Sequence, residues 1–336
     1  MGLMGVVLSL GPVLGPIAGG AVLDSLPWRW MFLLGVPVGV VAFLLAVRVI
    51  PADERPGESG TGTRLDVLGL ALLGPGFAAV VLALSQAAEQ GAFAVWQALL
   101  PLGAGAALLI GYGLRAARAR TPLIDLRLFA NKGFTASVTI MGVSGLALFA
   151  SLFALPLYYR QAHGHDVLSA GLLMAPLGIG GAIAMPLAGR LSDRLGARGL
   201  AAGGAVVALL SALSLTRIEA GTPVVWPALA ALAIGLGSGC FSAPTMGSLY
   251  RTLPPSMVAQ GSSVLYMLNQ LGAALGVAVV TLILQTSGDV VTGFHGIFWF
   301  AFAMIAIVLA AIPLLPGRPR AAPAAEEVSE EPARTS

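Results

Sequence analysis

The chain has 336 residues, of which 57% are hydrophobic and only 10% are charged, and its mean hydropathy is +0.90. Soluble globular proteins carry roughly 25% charged residues, so this composition excludes a soluble globular domain. The formal net charge of +3 is small and identifies no partner, and we expect no nucleic-acid partner. The single cysteine, Cys240, excludes a disulfide within the chain, and we expect it to be a small packing residue.

Ten apolar runs follow one another along the chain, each about 20 residues long, which is the length of helix that crosses a ~30 Å hydrocarbon core. The sequence therefore predicts an all-α membrane protein with ten transmembrane helices, and the lipid bilayer is its first expected partner. The predicted spans are residues 2–23, 30–50, 66–86, 95–114, 135–157, 168–189, 199–216, 226–248, 261–284 and 296–315.

The basic residues are distributed unevenly between the two sides of the predicted membrane. Fifteen of the 18 lie in loops on the side of the N-terminus, and only Arg29, Arg160 and Arg217 lie in the opposite loops. Positive charge close to the ends of spans stays in the cytoplasm. We therefore expect a multi-pass protein of the cell (plasma or inner) membrane with both termini cytoplasmic.

The first predicted span contains glycine and proline in a repeated pattern. Gly11, Gly15 and Gly19 recur every four residues and fall on one helix face, with Pro12 and Pro16 on the neighbouring row. An internal proline costs about 3 kcal/mol in a soluble helix, whereas in a bilayer neighbouring helices can satisfy the freed carbonyl groups. A glycine face lets a second helix approach closely. A generic packing face would explain single glycines but not the paired Gly-Pro repeats.

These residues 11–20, and the Trp-Arg-Trp-Met-Phe sequence of residues 28–32, resemble the fifth span and its following loop in the major facilitator superfamily. The resemblance is to the fourteen-span drug:proton antiporter branch. It implies the major facilitator fold and a multidrug efflux transporter, with protons and a small lipophilic or cationic substrate as further partners. The residues that match the antiporter motif are Gly11, Pro12, Gly15, Pro16, Gly19 and Gly20.

The third and fourth spans resemble the extra helix pair that this branch inserts between its two bundles. Asp66 lies at the start of the third span, where members of the family often carry an acid. The alternative for Asp66 is a carboxylate that is favoured at a helix N-terminus by the macrodipole.

Residues 121–129 resemble the family's link into the second bundle. We expect an interfacial helix here, with Leu123, Leu126 and Phe129 in lipid and Arg127 near the phosphates. In the bundle that follows, span 168–189 has a small-residue face of its own, and we expect span 2–23 to pack against it. The small residues of that face are Gly171, Ala175, Gly178 and Ala182.

Residues 189–198 read Gly-Arg-Leu-Ser-Asp-Arg-Leu-Gly-Ala-Arg and resemble the superfamily's cytoplasmic loop motif, as it is repeated in the second half. An ordinary positively charged loop would explain the arginines but not the Asp-Arg-x-Gly core. Gly196 would provide the turn between two spans, and Asp193 would cap a short helix and pair with a neighbouring arginine. The expected conformational latch consists of Gly189, Arg190, Asp193, Arg194, Gly196 and Arg198.

The search for a binding cavity starts from charged residues inside spans, because such residues are costly to bury and are usually functional. No carboxylate lies near the centre of a predicted span. Asn269 and Gln270 in the ninth span are the best polar candidates, and Gln270-Leu-Gly resembles a motif of the family at this place. Met141 and Met174 are candidates for an adaptable lining, and packing is the alternative for each of them.

His163, His165 and Asp166 lie close together in a loop, as metal ligands often do. No fourth ligand is near them in the sequence, so we expect a solvated loop and no metal site. No nucleophile with a neighbouring base and no phosphate-binding loop is present in the sequence. We therefore expect neither an enzyme nor a cofactor.

The resemblance divides the chain into four parts, and four spans of the family have no counterpart here. We therefore expect an N-terminally truncated form, which a missing N-terminal segment or a partner subunit would complete. The parts are 1–50, the last two helices of an incomplete N-terminal bundle; 51–134, a cytoplasmic loop, two linker helices and a cytoplasmic interfacial segment; 135–315, a complete six-helix C-terminal bundle; and 316–336, a disordered cytoplasmic tail.

Three functions follow from these observations. The first is proton-coupled efflux (antiport) of lipophilic or cationic drugs by alternating access. The second is a non-transporting membrane partner or an inactive fragment. The third is export of one specific metabolite by the same fold. The sequence identifies neither the substrate nor the coupling residue.

Overall fold

A computed structural model describes residues 2–49, 66–92, 94–119, 122–219 and 221–315, and the regular secondary structure in these ranges is helical. Two short 3₁₀ helices lie at Leu126–Ala130 and Ile312–Leu314. The loop 51–64 and the predicted tail 316–336 lie outside the described residues. The α-helices are α1 (Gly2–Ser25), α2 (Arg29–Val49), α3 (Val67–Gln90), α4 (Trp96–Ala116), α5 (Lys132–His163), α6 (Val167–Leu172), α7 (Ala175–Leu195), α8 (Ala197–Leu215), α9 (Val225–Thr252), α10 (Pro255–Thr286) and α11 (Val290–Ala311).

The all-α prediction is confirmed, and a helix lies at each of the ten predicted spans. Among the described residues, nine helical segments are long and apolar enough to cross a membrane. The helix α1, whose side chains are described only in part, has 24 residues. Both α5 and α10 have 32 residues, so each is about 48 Å long and extends beyond the hydrocarbon core.

The sixth predicted span is interrupted between α6 and α7. Pro176 lies in the first turn of α7 and has no N–H, so the helical hydrogen bond to the carbonyl of Leu172 cannot form. Instead, the N–H of Met174 donates to the carbonyl of Gly171 over 3.1 Å, which tightens the last turn of α6. The two helices still form one membrane-crossing segment, Val167–Ser192.

Six membrane-crossing segments of the described chain pack into one bundle, namely α5, the α6–α7 pair and α8 to α11. Within it, α5 lies against α9, α10 and α11, while α7 and α8 both lie against α9. Small residues permit these contacts, since helices in lipid associate through close van der Waals packing. One buried stripe on α8 consists of Ala201, Ala205, Ala208 and Ala212.

The other helices attach to this bundle at two places. The pair α3 and α4 forms a hairpin whose helix α3 lies along α10, and α1 lies along α6 and α7. The predicted packing of the first span against the sixth is therefore confirmed. The helix α2 contacts α1, and none of its residues is buried.

Candidate functional site

One face of α10 exposes polar side chains within Met257–Thr286, a segment that is long and apolar enough to cross a membrane. Ser263, Tyr266 and Gln270 are three and four residues apart, so they lie on one side of the helix, and all three are exposed. Tyr266 is 41% exposed, and its hydroxyl donates a weak hydrogen bond to Sδ of Met246 on α9, 3.9 Å away. Polar groups inside a span are costly in lipid, so this polar face of α10 is the best candidate for a surface that meets water or a ligand.

Asn269 is turned away from the polar face of α10. Its Nδ2 donates a hydrogen bond of 2.8 Å to the carbonyl oxygen of Met141 on α5. This bond satisfies a carbonyl inside the bundle and joins two helices that pack closely. Of the two neighbouring polar residues that the sequence singles out, Gln270 thus faces outwards and Asn269 faces α5.

The two candidate methionines lie in the core. Met174 is 1% exposed and packs at the α6–α7 break, in the same cluster as Tyr158 and Tyr159. Met141 is 7% exposed and packs in a second cluster with Leu265. The structure therefore supports packing for both methionines, and it places neither on the polar face of α10.

The glycine motif on α1 touches α6 at its last residue. A Cβ atom on Gly20 would lie 3.0 Å from Cα of Leu168 and 3.1 Å from the carbonyl oxygen of Val167. A Cβ atom on Gly11 or Gly15 would meet no described atom within 4 Å. The contact between the two helices thus depends on the end of the motif. The neighbouring Gly19 faces α2, and the side chains of Pro12 and Pro16 lie outside the described part of the chain.

The loop motif of residues 189–198 contains the connection between α7 and α8. Gly196 has φ +90° and ψ 146°, a conformation that favours glycine, and it alone separates the two helices. The predicted turn at Gly196 is therefore confirmed. Arg198 donates from Nε to the carbonyl oxygen of Leu315, and Arg190 is exposed. Gly189 has open space around it, and the side chains of Asp193 and Arg194 lie outside the described residues.

Asp66 caps α3 and forms an ion pair with the end of α4. Its Oδ1 accepts a 2.7 Å hydrogen bond from the N–H of Gly69, and it lies 2.6 Å from Nη1 of Arg115. Its Oδ2 accepts a longer bond, 3.3 Å, from the N–H of Leu123. The hydrogen bond from Arg115 lowers the pKa of Asp66 most strongly, while burial opposes it. The structure therefore supports the capping alternative, because a carboxylate held this way stays ionised.

The link before α5 contains a helix, as predicted, and it is a 3₁₀ helix at Leu126–Ala130. The link differs from its prediction at Leu123, which packs against the cluster around Tyr112 instead of facing lipid. The reason is that the N–H groups of Leu123 and Ile124 bond to Asp66 and to the Tyr112 hydroxyl, which holds the link against the hairpin. Leu126 and Phe129 are exposed, in agreement with the prediction, while the neighbouring side chain of Leu128 is buried.

The expected solvated loop is correct for Gly164 and Asp166, which are exposed, but not for His163 and His165, which are half-buried and pack on buried tyrosines. Nε2 of His163 lies 3.2 Å from the hydroxyl of Tyr158, which donates to the carbonyl oxygen of Glu219 over 2.9 Å. The ring of His165 stacks on that of His163, with 6.1 Å between the ring centroids. In the part of the chain that is described, no group of three His, Cys, Asp or Glu residues could hold a metal ion.

Sequence reasoning missed two of these features. Ser263 and Tyr266 precede Gln270 by seven and four residues, so helical spacing alone could have placed them beside it. The ion pair between Asp66 and Arg115 was harder to predict from the sequence, since 49 positions separate the two residues. Opposite charges at the start of one span and the end of the next, in a short hairpin, would have suggested it.

Comparison with known proteins identifies a family and several relatives. The family model described as Major Facilitator Superfamily matches residues 1–277 and 138–335. A multidrug resistance protein B homolog of Mycobacterium tuberculosis is 34% identical over 289 residues, which are 84% of this chain and 52% of that protein. The lincomycin resistance protein LmrB of Listeria innocua is 29% identical over 285 residues, 85% of this chain and 59% of that protein. The riboflavin transporter RibZ of Clostridioides difficile is 27% identical over 278 residues, 83% of this chain and 59% of that protein. The chain thus spans little more than half the length of these relatives.

Proposed function

Because the chain belongs to the Major Facilitator Superfamily, we propose that it is the substrate-binding part of an exporter that exchanges lipophilic or cationic compounds for protons. The polar face of α10 carries this proposal. Ser263, Tyr266 and Gln270 are exposed at membrane depth, where lipid would make them costly. An aqueous cavity between two bundles removes that cost, and it gives a flat cationic compound an aromatic ring and amide and hydroxyl oxygens to contact.

The names of the relatives support a drug-like substrate, since two of the three proteins compared above are named for drug resistance. The riboflavin transporter favours the second candidate, export of one specific compound. A selective site and a broad site differ in how many polar groups fix the ligand. The exposed side chains of Tyr266 and Gln270 fit the broad site better, because adaptable surfaces accept varied ligands.

Alternating access requires two bodies that rock around the substrate, and we propose that α1 with α2 belongs to the first body and residues 135–315 to the second. In this proposal the contact of α1 with α6 and α7 is the boundary that opens and closes. The α3–α4 hairpin with its link, residues 51–134, travels with the second body, to which α3 and Asp125 attach it. The motif at residues 189–198 acts as a latch at the cytoplasmic surface, with both termini on that side.

Proton coupling needs a carboxylate that gains and loses a proton near neutral pH. The described spans have their carboxylates only at their ends, and Asp66 is held ionised by Arg115. We therefore propose that coupling depends on a further segment or a partner subunit that completes the first bundle. The competing proposal is a non-transporting membrane partner.

The test is binding and transport by the purified 336-residue chain with Gln270→Leu as the variant. Ethidium binding should weaken about tenfold in the variant, since it loses a polar contact in a desolvated site. Gln285→Leu is the matched control, because this second exposed glutamine lies on the same helix 15 residues beyond Gln270, about 22 Å further along the axis. Unchanged ethidium binding by Gln270→Leu would show that the polar face of α10 is not the binding site.

Transport then separates the candidate functions. Uptake of ethidium into proteoliposomes under an imposed pH gradient supports an exporter. If riboflavin inhibits this uptake and chemically unrelated compounds do not, the exporter is specific for one compound. Binding without gradient-driven uptake agrees both with coupling that depends on a further segment or subunit and with a non-transporting partner. Uptake that returns when the first bundle is completed by co-expression supports the first, and uptake that stays absent supports the second.

A further inference from the structure

The 3 histidines of the chain all lie at the end of the bundle opposite the turn at Gly196. His163 and His165 lie around the end of α5. His295 lies near the start of α11, where its Nε2 bonds to the carbonyl oxygen of Ile218. Histidine is the side chain whose ordinary titration falls between about pH 5 and 8, so this end of the molecule can respond to mild acid.

The two histidines after Tyr159 differ in their hydrogen bonds. The Tyr158 hydroxyl donates its only proton to the carbonyl oxygen of Glu219, so Nε2 of His163, 3.2 Å away, is the donor to this hydroxyl. In contrast, Nε2 of His165 is buried beside the ring of Tyr159 and has no hydrogen-bond partner among the described residues. A buried nitrogen without an acceptor costs far less as a lone pair than as a charged N–H group. The position of His165 therefore fits the neutral ring only.

The charges around His165 favour the protonated ring at the surface over the buried place. Inside, the ring is stacked on that of His163 with 6.1 Å between the centroids, so a charge on one ring opposes a charge on the other. At the surface, carboxylates outnumber guanidinium groups. The exposed charged side chains of α1, α5, α11, the α5–α6 loop and the α8–α9 connection at this end are Asp24, Arg160, Asp166, Arg217, Glu219 and Asp289. The hydrogen bond with Ser169 keeps the pKa of Asp166 below its ordinary value of 3.8, so the carboxylate next to His165 stays ionised in mild acid.

His165 lies close along the chain to the contact between α6 and α1. Val167 and Leu168 follow it by two and three residues, and both lie against Gly20 of α1. The approach is close, since even a Cβ atom on Gly20 would have no room there. A displacement of His165 would therefore act on this contact first.

The helix α6 can move as a small unit, because the chain is interrupted on both sides of it. It has 6 residues, and Gly164 before it has φ +70° in the turn that ends α5. After it, Pro176 leaves the carbonyl of Leu172 without its helical hydrogen bond. A shift of α6 therefore requires no change in the regular part of α5 or α7.

We propose that His165 is a proton-binding site, and that protonation releases α6 from α1. A proton from the solvent adds to the buried ring, the charged ring leaves Tyr159 for the surface near Asp166, and α6 moves away from Gly20 with it. At neutral pH the ring is uncharged and the contact is closed. This inference concerns only the contact between α6 and α1, so it stands or fails independently of the substrate and of the proposed function.

The separation of α1 and α6 tests this proposal, and its measurement needs no substrate. Ala21 on α1 and Leu172 on α6 are both exposed, so Ala21→Cys and Leu172→Cys can carry spin labels in a Cys240→Ala background. Dipolar EPR spectroscopy in lipid nanodiscs should show that the labels move apart by several ångströms between about pH 8 and about pH 5. A label distance that does not change with pH would overturn the proposal.

Two variants of His165 separate its charge from its packing. His165→Phe keeps a ring against Tyr159 but cannot bind a proton, so the labels should stay at the short distance at both pH values. Its distance at the higher pH shows whether the variant folds as the parent does, and His165→Gln is the second neutral variant if it does not. His165→Arg carries its charge throughout, so the longer distance should be present already at the higher pH. A short distance in His165→Arg would contradict the release of α6 by charge.

The other two histidines provide matched controls. His163→Gln and His295→Gln each keep an N–H donor for their partners, the Tyr158 hydroxyl and the Ile218 carbonyl oxygen. Both variants should retain the change in label distance with pH. A change that persists in His165→Phe but disappears in either control would overturn the proposal and assign the proton to that histidine.

Discussion

The helix α2 and the six-segment bundle are both strongly apolar, yet they pack in opposite ways. The helix α2 has leucine, valine and phenylalanine on all sides and no buried residue; Phe32 and Val49 are each 73% exposed. The helix α5 carries serine, alanine and glycine among its large residues and is buried over much of its length. In a membrane, apolar side chains gain nothing by leaving lipid, so close association needs small residues on a helix that also has a facing partner. The helix α2 has Gly35 and Gly39 four residues apart, but no described residue lies close to them.

The test of this comparison with the largest expected effect replaces one glycine in each region by leucine. A Cβ atom at Gly235 on α9 would collide with the carbonyl oxygen of Leu177 on α7, whereas Gly39 on α2 has open space around it. We expect Gly235→Leu to lower the free energy of unfolding by about 3 kcal/mol through overpacking, and Gly39→Leu to change it little. Thermal unfolding in detergent, followed by circular dichroism, measures both. Equal losses would contradict the role of small residues.

A second test concerns the boundary between the two regions. Gly20→Leu should push α1 away from the backbone of α6, because its Cβ already has no room beside Leu168. Gly15→Leu should leave the contact intact. We expect faster hydrogen exchange in α1 of the Gly20 variant only, with a loss of about 1–3 kcal/mol in protection. Similar exchange in both variants would mean that the glycine face as a whole, and not its last residue, holds α1.

A third test removes the charge that fastens the α3–α4 hairpin. Asp66→Asn keeps an oxygen for the N–H of Gly69 but loses the ion pair with Arg115, so we expect a loss of about 1 kcal/mol at neutral pH. Because the pairing lowers the pKa of Asp66, its contribution is complete above the ordinary value of 3.8 and fades as the pH falls below it. The difference in thermal stability should therefore shrink as the pH is lowered below 3.8. Asp125→Asn, whose carboxylate caps only the link, serves as the control.

The smallest expected effect compares neighbouring tyrosines inside the bundle. The Tyr158 hydroxyl bonds to Glu219 and His163, whereas the buried hydroxyl of Tyr159 has no partner among the described residues. Tyr158→Phe should therefore cost about 1 kcal/mol of unfolding free energy, and Tyr159→Phe should be neutral or stabilising. Thermal unfolding followed by circular dichroism measures the difference in stability between the two variants. A loss in Tyr159→Phe as large as that in Tyr158→Phe would mean that its hydroxyl is satisfied by bound water.

Helix positions were predictable from the sequence, because a span is defined by length and polarity, which are local properties. The turn at Gly196 was predictable for the same reason, since it depends on one residue between two apolar runs. The break between α6 and α7 was missed even though Pro176 signals it, because the apolar run continues through it without a change in hydropathy. Hydropathy thus locates a span but not a defect in its hydrogen bonding.

The side chains of the candidate site were only partly predictable. Gln270 was identified, but its direction depends on which face of α10 packs against α5, and that is a property of the whole bundle. The orientation of Asn269 towards Met141 and the burial of Met174 depend on the same packing. His163 and His165 were assigned to solvent, since nothing local indicates that they reach the buried tyrosines.

The connection at Gly196 has a mechanical consequence. Only one residue joins α7 to α8, so the connection cannot lengthen. A change in the tilt of α7 must therefore either change φ and ψ of Gly196 or move α8. Because α8 lies against α9 and α9 against α7, the three helices form a closed linkage. A change in the tilt of α7 that is caused by its contact with α1 would therefore also change the position of α8.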